Sequence, residues 1–137
     1  MKKIILVLIA ILSLSSCNSN DDDLDQDPII GKWQLTSAKD DNVEYSDDCT
    51  RKSTITFLEN KTVTVAGYYD DSNGCESEAD SFGWMNLGNS SYEFTYNTND
   101  KETVTFIFSQ NNTVFTVNES ETYNNVTYTS SITYKKI

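Results

Sequence analysis

The chain has 137 residues but no histidine, one proline, five glycines and three cysteines. Without histidine it lacks the commonest general base, the Ser–His and Cys–His nucleophile pairs, and the commonest metal ligand. No glycine-rich phosphate loop is present. Acid pairs such as Asp70-Asp71 lie in polar stretches where nothing would move a carboxylate pKa toward neutrality. The stretch Asp71-Ser72-Asn73-Gly74 has the glycine of a calcium loop, but counting back from it puts Tyr69 where the first Asp ligand belongs. Asn-Gly there reads as an ordinary turn. We therefore expect no catalytic residue, no cofactor and no metal site, and a protein that is not an enzyme. Lys and Arg together number 10 against 21 Asp and Glu, a formal charge of −11, so nucleic acid would be repelled as a partner. The longest apolar run, Ile4 to Leu12, falls well short of the roughly 20 residues that span a bilayer.

That run follows Met1-Lys2-Lys3 and precedes Leu14-Ser15-Ser16-Cys17. A basic start, a short apolar core and small residues before a cleavage point describe a secretory signal. Leu14 to Cys17 resembles the lipobox of bacterial lipoproteins. The resemblance implies that residues 1–16 are removed and that Cys17 carries an N-terminal acyl anchor to the membrane. Loss of Lys2 and Lys3 would leave 8 basic residues against 21 acids, taking the charge from −11 to −13. Residues 17–28, with Asp21, Asp22, Asp23, Asp25 and Asp27, are too polar to fold and read as a flexible acidic tether. An acidic run behind the lipidated cysteine also resembles the surface-export signal of some Gram-negative lipoproteins. It implies the outer membrane and the cell surface, with a periplasm-facing leaflet as the alternative. Cys49 and Cys75 then remain as an even count in an exported, oxidising setting. A disulfide between them is the simplest reading, and two free thiols the alternative.

From residue 29 onward the chain alternates apolar and Thr-rich positions with period two, and no helical period occurs. Eight strands are expected. The first holds Trp33 and Leu35 on one face, the second Ile55 and Phe57, the third Val63 and Val65. The fourth, over 82–87, faces inward with either Phe82 and Trp84 or Met85 and Leu87. The fifth presents Tyr92, Phe94 and Tyr96, and the sixth Val104, Phe106 and Phe108. Phe115 and Val117 mark the seventh, and Val126, Tyr128, Ile132 and Tyr134 the eighth. Tight turns are expected at Asn60-Lys61, Gly88-Asn89-Ser90 and Gln110-Asn111. Longer connections are expected over 38–52 and 69–80, with shorter polar loops near 97–101 and 119–125. In an antiparallel meander the tight turns gather at one end and the longer loops at the other, so Cys49 and Cys75 fall at the same end.

An eight-stranded antiparallel up-and-down meander opening with Ile30-Gly31-Lys32-Trp33 resembles the lipocalin-like domain of small Gram-negative lipoproteins, over residues 29–137. The resemblance implies an all-β fold, a small lipocalin-like barrel, with Gly31 and Trp33 as the signature that plugs its closed end. Classical lipocalins pack a late arginine over that tryptophan. Here the sole arginine is Arg51, which leaves Lys135 or Lys136 on the last strand as substitute, and no Thr-Asp-Tyr turn motif appears. An eight-stranded barrel is just wide enough to be filled by side chains or to hold one small ligand. Its aromatic load favours the filled form.

The function expected is a non-catalytic binding module, for a small apolar ligand or a protein partner. Its candidate mouth residues are Asp47, Asp48, Tyr68, Tyr69, Asp70 and Asp71. The alternative is an interaction or accessory protein, such as an envelope-complex subunit or an inhibitor, that uses acidic loops on a filled barrel.

Overall fold

Thr, Val, Ile and aromatic residues dominate the alternating stretches, and such side chains suit a pleated surface packed on one face. In the computed structural model, which describes residues 26–137, they form ten antiparallel strands and a single 3-10 turn. The strands are β1 (Gly31–Asp40), β2 (Val43–Glu44), β3 (Thr54–Phe57), β4 (Thr62–Asp71) and β5 (Gly74–Gly88). They continue with β6 (Ser91–Asn97), β7 (Asp100–Thr105), β8 (Ile107–Ser109), β9 (Val114–Tyr123) and β10 (Val126–Lys136), and the 3-10 turn is Thr50–Lys52. The signal segment 1–16, Cys17 and the tether up to residue 25 lie outside the described residues.

Nine strands form one sheet in the order β7-β6-β5-β4-β3-β1-β10-β9-β8, with β2 paired to β1 beside that path. The two ends of the order are consecutive in the chain. β7 pairs with β6, β8 pairs with β9, and Phe106 joins them, its N–H donating to Ser90 O at 2.9 Å. The sheet thus curls into an all-β barrel whose ladder stays open between β7 and β9. The expected sixth strand is these two pieces, and β2 is the other addition that turns eight strands into ten.

The tight turns appear where expected, and Lys61, Asn89, Ser90, Gln110 and Asn111 adopt positive φ in them. The longer loops do not. Residues 69–80 continue β4 and β5 as one hairpin, paired from Thr62↔Gly83 to Asp71↔Gly74. Residues 119–125 continue β9 and β10 to a two-residue turn at Asn124-Asn125, with φ of 50° and 62°. Residues 97–101 form another tight turn, Asn97 pairing with Asp100. These segments are polar on both faces, so they lack the apolar alternation of a half-buried strand, and cross-strand pairing extends them instead. The connection over 38–52 keeps a loop, but β1 runs to Asp40 and turns back through Asp41-Asn42 into β2.

The core confirms the inward faces and settles the fourth expected strand. Trp84 is buried at 3% exposure and Phe82 is half-buried, while Met85 and Leu87 stand near half exposed. Trp33, Phe57, Val63, Trp84, Tyr92, Phe94, Phe106 and Phe115 form one buried cluster, closed at its base by Ile29. Phe57 stacks on Phe94 at 6.0 Å between ring centroids, and Phe106 meets Phe115 at 4.6 Å. Each buried aromatic side chain brings a large apolar area out of water, and these pairs add a smaller geometric preference. Val126 and Tyr128 share the parity of Ile132 and Tyr134 but project beyond the packed core and are half exposed.

Candidate functional site

The closed end is built on Trp33. Its indole N–H donates to Ile29 O at 2.7 Å, and its ring meets Phe115 edge-on at 4.7 Å. Lys136 pairs with Trp33 across β1 and β10 and therefore lies on the same face. Its ammonium sits 5.1 Å from the indole centroid and donates to Pro28 O at 3.2 Å. Lys136, not Lys135, thus occupies the place of the late arginine, as a point charge held by the ring's quadrupole. Gly31 has φ +132°, and a Cβ there would lie 2.6 Å from Lys136 Cε. A side chain at position 31 would be strained by its backbone and would crowd the lysine that covers the tryptophan.

The tether's last residues belong to this end. Asp27 accepts from the Tyr92 hydroxyl at 2.8 Å, from Asn86 Nδ2 at 2.6 Å and from Ile29 N at 3.1 Å. Burial, then the hydrogen bond to Asp27 and its charge, push the Tyr92 phenol up. The chain therefore enters the barrel pinned at the closed end, and residues 26–28 lie against the fold.

The other end is open. Above the aromatic core, Ile55, Phe82, Phe94, Val104, Val117 and Ile132 line a floor of about 250 Å³. Glu102 and Glu119 belong to its rim and also to the wall of a wider cavity of about 700 Å³. Asp40, Asp41, Glu121 and Tyr128 complete the charged and aromatic wall of that upper space. Pairing explains the arrangement: Tyr134 lies opposite Phe115, Ile132 opposite Val117, Ser130 opposite Glu119 and Tyr128 opposite Glu121. The face that is apolar low in the barrel turns acidic toward the mouth. Tyr96 marks the change, donating to Glu102 Oε2 at 2.8 Å. Its phenol is pushed up to about 12 by burial and then by Glu102 and Asp100. The barrel is neither wholly filled nor wholly open; aromatic side chains fill the lower part and a cavity stands above them.

Cys49 and Cys75 form a disulfide with Cα atoms 5.6 Å apart. It ties the loop before the 3-10 turn to β5, and both cysteines sit at the open end as expected, although Cys75 lies in a strand. Around it gather several candidate mouth residues. Asp47 accepts from the N–H groups of Cys49 and Thr50 and from the Thr50 hydroxyl. The bonds from Thr50 lead in lowering its pKa. Asp70 is raised by desolvation and by the charge of Asp47. Asp48 lies 3.8 Å from Arg51, and Asp71 caps the turn through Asn73 N. The Tyr68 N–H donates to Ser53 Oγ at 2.8 Å, and Tyr69 pairs with Glu76 at the rim. None of these six residues lines the cavity. Asp70 also lies close to both sulfurs, but these are bonded to each other and offer no thiolate to a metal.

The cavity acids Asp40, Glu102, Glu119 and Glu121 escape a reading that treats their segments as loops. Period-two counting could have found three of them, since Glu119 and Glu121 continue the parity of Phe115 and Val117, and Glu102 that of Val104 and Phe106.

The lipocalin-like domain family matches residues 29–137. Among solved structures, the fold is similar to lobster apocrustacyanin A1, at 8% identity over 85% of this chain and 64% of that one, with a TM-score of 0.49. It is also similar to bovine odorant binding protein complexed with its natural ligand, at 13% identity over 80% of this chain and 72% of that one, TM-score 0.47. The bovine lipocalin allergen Bos d 2 is similar at 13% identity over 80% and 73%, TM-score 0.45. No curated protein matches the sequence. With its plugged closed end, its open mouth and a match that runs from Ile29 to the last residue, the chain belongs to the lipocalin-like domain family.

Proposed function

We propose that this protein is a non-catalytic small-ligand binding module, held to the outer membrane by an acyl anchor on Cys17 and facing the cell exterior. The observation that carries the ligand reading is the cavity at the open end, walled by strands and floored by apolar side chains. A concave site with an apolar floor and a few polar groups at its rim is the usual form of a small-molecule site. The anchor reading rests on the lipobox resemblance and on the entry of the chain at the closed end. A tether that leaves beside Asp27 would hold the open end away from the membrane.

An exposed rim gives the accessory-protein reading some support, since Tyr123, Val126 and Tyr128 stand half exposed or more on the β9–β10 hairpin. One experiment separates the two. Titration with a neutral fluorescent apolar probe, N-phenyl-1-naphthylamine, should give saturable one-site binding. Val117→Trp, which fills the floor, should weaken it about tenfold or more. A linear, unsaturable signal would overturn the ligand reading and favour a protein partner on the rim.

A further inference from the structure

The cavity's wall carries five carboxylates, Asp40, Asp41, Glu102, Glu119 and Glu121, and no lysine or arginine. None of the three ion pairs among the described residues involves any of them. The basic residues lie elsewhere. Lys32, Lys61, Lys135 and Lys136 belong to the closed half, Lys101 is paired with Glu93 at 2.7 Å, and Arg51 and Lys52 attend the disulfide loop. Lys39 lines an adjoining groove with Glu119.

We propose that the ligand of this site is an organic cation with an apolar portion, such as an alkyl or aromatic amine or a quaternary ammonium. The inference rests on the ligand-binding reading and narrows it. Two independent features point the same way. The floor is apolar and sized for a small hydrophobic group. The wall above it concentrates negative charge in a concavity, where like charges repel and low-dielectric walls focus the field. A cation relieves that repulsion, whereas a carboxylate or phosphate would add to it. Tyr128, half exposed, lines the same wall, and an aromatic ring there suits a cationic group. An apolar chain below an ammonium would match this vertical order, with the tail on Phe94, Val117 and Ile132 and the charge between Glu102, Glu119 and Glu121.

The test uses the full chain and four probes in calorimetric titration: octyltrimethylammonium, 1-octanol, octanoate and tetramethylammonium. The cationic amphiphile should bind at one site, about tenfold or more tighter than octanol and tetramethylammonium, with octanoate weaker still. Its affinity should fall as salt rises from low to physiological strength. Glu119→Gln with Glu121→Gln should weaken octyltrimethylammonium about tenfold and leave octanol unchanged. Octanol or octanoate binding as tightly as the cation would overturn the inference and leave the ligand-binding reading standing. Equal binding of tetramethylammonium, or an unchanged cation affinity in the double variant, would also overturn it. If no probe binds, both readings fall.

Discussion

Trp33 touches Ile29, Phe115, Phe108 and the Lys136 ammonium, and no part of it reaches solvent. Trp33→Ala should therefore cost about 3–5 kcal/mol, the range for truncating a large core side chain. Urea denaturation measures it, and a loss below about 1 kcal/mol would mean that the closed end does not depend on this plug. The importance of this residue is legible in the sequence, because Gly-x-Trp opens the first strand. Which lysine covers it is not legible, because Lys135 and Lys136 are adjacent and only the register Trp33↔Lys136 selects one face. Asp27 is a similar case. It reads as one more acid in a solvated run, and only the fold brings Tyr92, 65 positions away, to its carboxylate.

Among the elements, the backbone pairing of β1 with β2 is reinforced by one side chain. Glu44 accepts from Ser37 Oγ at 2.5 Å, from the Ser46 hydroxyl and from Ala38 N at 3.0 Å. These bonds, led by Ser37, lower its pKa from 4.5 to about 2. A carboxylate favoured in the folded state contributes stability that is present above its unfolded pKa and is lost as pH falls through the folded one. Glu44→Gln should thus be less stable than the parent at pH 7, and the gap should close between pH 4.5 and about 2. Denaturation curves at pH 7 and pH 2.5 check this; a gap as large at pH 2.5 as at pH 7 would assign the effect to packing.

The disulfide acts at the same scale. Closing 26 positions of chain should be worth roughly 3–4 kcal/mol on the chain-entropy account. Thiol titration of the denatured protein should find Cys49 and Cys75 unreactive until they are reduced, and loss of the bond should lower the unfolding midpoint. The lower halves of the strands were readable from their apolar alternation, and so were the tight turns. The outer halves of β4, β5, β9 and β10 were not, because Asp70 to Asp80 and Asn118 to Tyr123 are polar on both faces. Backbone pairing with the neighbouring strand makes them strands.

For the whole molecule, the turns at Lys61, Asn89-Ser90 and Gln110-Asn111, the Trp33 plug and the entry of the chain share one end, while the disulfide and the acidic cavity share the other. If Cys17 carries an acyl chain, Cys17→Ser should move the protein from the membrane fraction to the soluble fraction. Fractionation after detergent-free lysis decides it, and unchanged membrane association would sink the anchor reading.

By itself the sequence determined the all-β class, the antiparallel meander with three of its tight turns, the Gly31-x-Trp33 signature and an even count of cysteines beside Cys17. The class, the turns and the cysteine count follow from local alternation, turn chemistry and the parity of a count, and the Gly31-x-Trp33 signature from the family resemblance. The tertiary structure alone decided that the polar segments are strands, that Lys136 covers Trp33, that Asp27 is docked and that carboxylates line the cavity. Those features depend on register across separate strands. A one-residue slip would send Glu119, Glu121 and Glu102 to the outer face, and the mouth would no longer be acidic.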